Sequence, residues 1–260
     1  GPWLEEEPGI MADLRPFALE ASLYLGERFV MPFNVSNPVM YYNKELFAEA
    51  GLDPENPPTT WEELLAAAQA LTKVENGETV QWGISAPPQW VRWAMSNQAG
   101  GGWMDGATNE NQMDMEGTAK AYQFAADLVT VHGVASMDSA VQERLGRQSF
   151  TAGGTGIIMG STGSLGSYTE STDFDLGVAP LPCDVVCAAP IGGATLAITA
   201  ASDDAQKAAA WDFLKFVMTP ESNAEMFTVT GYLPILKSTV DHPQAAAYLA
   251  VNPDYALAIN

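Results

Sequence analysis

The segment MPFNVSNPVMYYNKELFAEAGLDPENPPTTW, residues 31–61, constrains the fold more than any other part of the chain. A polar stretch bounded by Pro32 and Pro38 runs into VMYYN, whose β-branched and aromatic residues predict a strand over 39–43. A short helix is predicted over 44–50. It is closed by Gly51 in the position just past a helix end, where the backbone turns left-handed. Residues 53–58 hold Pro54, Pro57 and Pro58 and cannot be helical. Thr60 and Glu63 then form a capping box, T-x-x-E, at the head of WEELLAAAQALTKV. This pattern has no catalytic look. It puts polar and aromatic groups where a chain crosses between two bodies, a layout that suits small-molecule binding.

The rest of the chain alternates helices with strands. A helical stretch is expected over 12–25 and an extended run over 28–33, ended by Pro32. Asn76-Gly77 turns the capped helix toward a strand over 79–85. Beyond a tryptophan-rich segment, helices are expected over 91–96, over 117–132 and over 139–151. The second of these carries Ala121, Phe124, Ala125 and Leu128 on one face. GIIMG, 156–160, reads as a buried strand, followed by strands over 174–179 and 193–200. An amphipathic helix over 205–218 has Trp211, Phe213, Leu214 and Val217 as its apolar residues, and a further helix follows Thr219-Pro220-Glu221. This alternation predicts an α/β fold with mixed sheets.

With 260 residues and 47% hydrophobic content, the chain can bury one large core or two small ones. No run approaches the apolar length of a membrane span. The 32 acidic residues outnumber 11 basic ones, for a net charge of −21, which argues against nucleic acid and anionic membranes as partners. The same charge fits a solvated surface and leaves the ligand open, because a local site can oppose the global field. Gly1-Pro2 ahead of an acidic turn reads as a processed or cleaved start. Cys183 and Cys187, with three residues between them, do not have C-x-x-C redox spacing. His132 and His242 lie too far off in sequence to suggest a zinc site. A loop disulfide, implying an oxidising compartment, or two free thiols remain.

Catalysis is poorly supported, since the chain has neither G-x-S-x-G nor H-E-x-x-H and its many carboxylates single out no acid–base pair. No cofactor or metal is expected. Binding has better candidates. GSTGSLG, 160–166, follows a strand and opens a helix but lacks the lysine of a phosphate loop. Its Ser161 and Ser164 would face a ligand at a polar cradle, or would simply cap a tight turn. Gly192-Gly193 allows close backbone approach or is an ordinary loop pair. Tyr232, in a Gly-Tyr-Leu-Pro turn, is a packing residue on general grounds. Trp90 and Trp93 sit in what reads as an exposed proline-rich loop, where they would stack on a sugar or choline-like group or pin the loop down.

Together PFNVSNPVMYYNKELFAEAGLDPENPPTTWEEL, GSTGSLG, IGGATLAI and WDFLKFVMTPESNAEMFTVTGYLPI resemble the extracellular solute-binding proteins of ABC importers, the large family that includes maltose-binding protein. Within it the segments look most like the glycerol-3-phosphate and glycerophosphodiester binders. The resemblance implies a two-lobe clamp of the periplasmic-binding type with an incomplete first lobe. Residues 1–37 would be part of lobe one and the first crossing, 38–192 lobe two, and 193–260 the return to lobe one. It implies ligand contacts at Ser36, Ser161, Gly193 and Tyr232, and a stacking role for Trp90. It also implies a glycerol phosphate, glycerophosphodiester or sugar as ligand, a membrane ABC permease as partner, and a periplasmic or extracellular location, with a lipid anchor open for the full-length protein. Family members run past both ends of this chain, so a truncated product is expected.

Overall fold

The structure, a computed structural model, describes residues 3, 7–24, 27–104, 108, 110–113 and 115–253. It divides into two compact units. One comprises Gly1–Ser36, Thr162–Gly166 and Ile191–Asn260; the other comprises Asn37–Ser161 and Ser167–Pro190. The chain passes from one to the other after Ser36, Ser161, Gly166 and Pro190. Thr162–Gly166 is grouped with the first of these units, between two stretches of the second.

The strands among the described residues are β1 (Leu23–Tyr24), β2 (Glu27–Arg28), β3 (Met31–Ser36), β4 (Pro38–Asn43), β5 (Lys73–Glu75), β6 (Glu78–Ile84), β7 (Thr155–Ser161), β8 (Leu176–Pro180) and β9 (Gly192–Leu196). In the Asn37–Pro190 unit, five strands form a mixed sheet in the order β5-β6-β7-β4-β8. β4 pairs antiparallel with both β7 and β8, and β6 runs parallel to β7.

Every residue of β4 is buried, which explains its VMYY composition. Met40 and Tyr42 point into a core built by the helices Trp61–Leu71, Gln89–Gln98 and Glu116–Thr130, where they meet Trp61, Leu64, Val91 and Leu128. Tyr41 points the other way and meets Tyr168 edge-on at 4.8 Å, with Phe150 behind it. A buried phenol needs a partner. Tyr41 donates to the Ser161 carbonyl and Tyr42 to that of Pro54, each at 2.7 Å. Burial pushes the Tyr168 phenol pKa up, so it stays neutral.

The capping box is formed. The Thr60 hydroxyl accepts from the Glu63 N–H, and the Glu63 carboxylate accepts from the Thr60 N–H in return. Cys183 and Cys187 are joined by a disulfide with Cα atoms 4.9 Å apart.

Three sequence expectations need correction. Pro32 does not end a strand. β3 runs through it to Ser36, with a register shift against β9 between Pro32 and Asn34 that accommodates the missing N–H. The single helix expected near 12–25 is two, Pro8–Asp13 and Pro16–Ala21, because proline at 16 forces Arg15 into an extended backbone. The helix expected over 139–151 is likewise Met137–Val141 and Glu143–Thr151, broken where Gln142 turns extended. No helix of the described residues is long and apolar enough to cross a membrane.

Candidate functional site

In the unit made of Gly1–Ser36, Thr162–Gly166 and Ile191–Asn260, the sequence-predicted residues meet around the end of β3. β3 and β9 pair antiparallel, with Val35 opposite Gly193 and Ser36 opposite Gly192. On β3's other side the Leu233 N–H donates to the Val35 carbonyl at 2.7 Å, placing Tyr232 one residue from the same strand. Ser36, Gly192, Gly193 and Tyr232 are thus brought to one place by backbone pairing alone.

Local chemistry explains each position. Gly193 has φ +127°, and a Cβ there would overlap the Asn34 carbonyl, so only glycine fits. The Asn34 side-chain oxygen receives the Ala194 N–H at 2.7 Å, which ties the bulged part of the ladder. Tyr232 follows the helix Pro220–Thr230, which ends on Gly231 in a left-handed conformation, φ +87°. Its N–H is held by the Thr230 hydroxyl at 3.1 Å.

The 3-10 turn Thr162–Ser164 completes the group. A Cβ on Gly163 would come within 2.8–3.0 Å of the Tyr232 ring, so the phenol lies flat against a glycine that leaves it room. Gly166 packs as closely on the Val229 carbonyl. Ser164 is therefore in the same unit as Tyr232, half-buried beside Gly163.

The polar groups here are under-used. Ser36 is 4% exposed, yet among the described residues its hydroxyl has no hydrogen-bond partner. The Ser164 hydroxyl and the half-buried Tyr232 phenol have none either. None of the three is among the buried side-chain atoms left without a partner, so each hydroxyl is open to solvent and available to a polar ligand. A cavity of about 320 Å³ in the same unit lies at the opposite end of β3, between Arg28, Met31, Leu196, Lys207 and Trp211. It contains none of these groups.

Two predicted residues lie in the other unit. Ser161 closes β7, and its carbonyl is held by Tyr41. Trp90 corrects an expectation: it is in the first turn of the helix Gln89–Gln98, half-buried, and not in a loop. Pro88 caps that helix, so the proline pair starts a helix where the sequence reads as irregular. Trp93, on the same helix, packs on Trp103 at 4.7 Å.

Sequence reasoning missed Asn34 and Gly163. Gly163 lies inside a motif read for its hydroxyls. Its role as a platform depends on Tyr232, which is distant in sequence. Nothing in the residues around Asn34 signals its bond to Ala194.

A mixed α/β chain that passes repeatedly between two compact units belongs to the periplasmic-binding class of solute-binding proteins. More particularly, this chain belongs to the family of bacterial extracellular solute-binding proteins, whose profile it matches over residues 11–253. It is 30% identical, over 95% of its own length, to the sn-glycerol-3-phosphate-binding periplasmic protein UgpB of Escherichia coli K12, of which it spans 59%. Among solved structures it resembles UgpB of Mycobacterium tuberculosis in complex with glycerophosphocholine, with 32% identity and a TM-score of 0.82, over 95% of this chain and 62% of that one. It also resembles the cyclic alpha-maltosyl-1,6-maltose binding protein of Arthrobacter globiformis, with 27% identity and a TM-score of 0.73, over 96% and 64%.

Proposed function

We propose that this chain is the solute-capturing component of an ABC importer and that its ligand is glycerol-3-phosphate or a glycerophosphodiester. The observation that carries the reading is the convergence of Ser36, Gly193 and Tyr232, with the Ser36 and Tyr232 hydroxyls lacking a partner among the described residues. Hydroxyl and backbone donors suit the several acceptor oxygens of a phosphate ester. They need no basic residue, which fits a chain with few cations. The names of the two UgpB relatives point to the same ligand class.

In this reading Ser36 and Tyr232 hydrogen-bond the ligand, Gly192 and Gly193 offer backbone, and Ser164 adds a hydroxyl. Ser161 and Trp90 are proposed as further contacts from the second unit. The chain binds and releases solute without turning it over and hands it to a membrane permease. A location outside the cytoplasm accords with the Cys183–Cys187 disulfide.

The second reading, a sugar as ligand, is favoured by the resemblance to the maltosyl-maltose binder. Calorimetric titration of the chain with glycerol-3-phosphate, glycerophosphocholine and maltose separates the two. Saturable binding of either phosphate ester, lost in Tyr232→Phe and in Ser36→Ala, supports the proposal. Binding of maltose alone replaces the first reading with the second, and turnover of any of the three would make the chain an enzyme.

A further inference from the structure

β5 and β6 are joined through Asn76 and Gly77 alone, since Glu75 stands directly opposite Glu78. Asn76 has φ +52° and is the single non-glycine residue of positive φ among the described residues; Gly77 follows at φ +86°. Two left-handed residues in succession make the hairpin turn that suits the twist of the strands, and Asn-Gly is the pair that adopts it most readily. It is also the chain's single Asn-Gly pair. Both residues are exposed. Neither the Asn76 carboxamide nor the Gly77 N–H has a hydrogen-bond partner among the described residues. Apart from its chain neighbours, no atom lies within 4 Å of the place a Gly77 Cβ would take, so the Gly77 nitrogen is unshielded on that side.

The hairpin around this turn is weakly held. β5 has three residues, is exposed at Val74 and Glu75, and forms the edge of the five-stranded sheet, with a register shift between Lys73 and Val74. Glu75 and Glu78 set like charges on one rung, which weakens the pairing next to the turn. The Lys73–Glu49 ion pair that ties the strand to its surroundings is exposed and contributes little. A short edge with few buried contacts opens at low cost. Opening frees Asn76 to bring its side-chain carbonyl carbon onto the Gly77 nitrogen.

We propose that Asn76 is a site of spontaneous modification by deamidation through a cyclic imide. The Gly77 nitrogen attacks Asn76 Cγ. The N–Cγ bond forms, the Cγ–Nδ2 bond breaks, and the Gly77 proton departs with Nδ2 as ammonia. One water then opens the imide. Opening at Cγ gives aspartate, and opening at the main-chain carbonyl gives isoaspartate, whose chain runs through the side-chain carbon. Either product adds a negative charge beside Glu75 and Glu78. Isoaspartate also lengthens a two-residue loop whose length fixes the strand register, so β5 loses pairing with β6. None of the residues proposed to contact the ligand lies in this hairpin, so the inference stands apart from that reading.

The test is to hold the folded chain for weeks in mildly alkaline buffer, digest it with trypsin and follow the peptide 74–92, whose single asparagine is Asn76, by chromatography and mass spectrometry. The amide peptide is lost to two acid peptides of equal mass, one of which is methylated by an isoaspartate methyltransferase. Peptides holding the other asparagines keep their amides. Asn76→Gly retains a turn that tolerates positive φ and leaves its peptide unchanged over the same period. In the aged native chain the amides of β5 exchange with solvent faster than in the fresh chain, while in Asn76→Gly ageing changes nothing. The proposal is overturned if the amide peptide persists in the folded chain, if aspartate forms without isoaspartate, if the other asparagines convert as fast, or if the β5 amides exchange equally in fresh and aged chains.

Discussion

The Tyr232 ring lies against Gly163 so closely that a Cβ at 163 would sit 2.8 Å from its Cζ. The 3-10 turn and the Gly-Tyr-Leu-Pro turn are thus a fitted pair, and the glycine sets where the phenol can be. Gly163→Ala must push the ring by several tenths of an ångström. The expected result is a loss of phosphate-ester affinity of about tenfold, with a stability cost of about 1 kcal/mol or less. Titration calorimetry beside a thermal melt checks this. Unchanged affinity would show that the ring's position does not matter to binding.

Gln98 is 1% exposed and bonds through both ends of its carboxamide. Its oxygen accepts from Trp61 Nε1 at 2.9 Å, and its nitrogen donates to the Ala188 carbonyl at 3.0 Å. Its backbone carbonyl also receives the N–H groups of Val185 and Val186 inside the disulfide loop. Gln98→Ala leaves an indole N–H and a carbonyl without partners, at a cost of roughly 3 kcal/mol. Urea unfolding followed by tryptophan fluorescence measures it. Gln98→Glu keeps the indole bond but sets a buried carboxylate against the Ala188 carbonyl, so it should be no more stable than Gln98→Ala.

The fold was largely legible in the sequence, and the site only partly. The capped helix at Thr60, the buried strand VMYYN and the amphipathic helices announce themselves through local rules: spacing, caps and β-branched runs. Ser36 and Tyr232 were reached through resemblance, because nothing local to either shows that its hydroxyl has no partner. The structure adds what sequence order hides. β3 pairs with β9 across most of the chain, and the return of Thr162–Gly166 to the first unit depends on packing by Gly163 and Gly166 that no periodicity predicts. Proline was misread both ways: Pro32 stays inside a strand at a bulge, and Pro88 begins a helix.

Acid sensitivity is expected at the capping box. The Glu63 carboxylate accepts from the Thr59 N–H and hydroxyl at 2.8 Å and from the Thr60 N–H at 3.2 Å, with Thr59 the larger influence, and these bonds hold its pKa below the ordinary value. A depressed folded pKa contributes stability above the unfolded pKa, and that stability is lost as pH falls through the folded one. Melting temperature measured from neutral pH down to about pH 3 should therefore decline less steeply in Glu63→Gln than in the native chain. Parallel curves would remove Glu63 from the acid response.

Gly193 and Ser36 lie on neighbouring rungs of one ladder, yet their substitutions should behave differently. At Gly193 the backbone has φ +127°, which side chains rarely adopt, and a Cβ would overlap the Asn34 carbonyl, which cannot swing away like a flexible side chain. Gly193→Ala has to separate β9 from β3. It should cost roughly 3 kcal/mol of stability and abolish ligand binding with it. At Ser36 the hydroxyl has no partner among the described residues, so Ser36→Ala removes nothing that the unliganded fold uses. Its melting temperature should be about unchanged, because the Ser36 hydroxyl makes no bond within the chain and is not among the buried atoms left without a partner. Its phosphate-ester affinity should still fall about tenfold. Melts and titrations of both variants decide the matter. If Ser36→Ala loses stability as Gly193→Ala does, the serine is part of the scaffold and its hydroxyl is not waiting for a ligand.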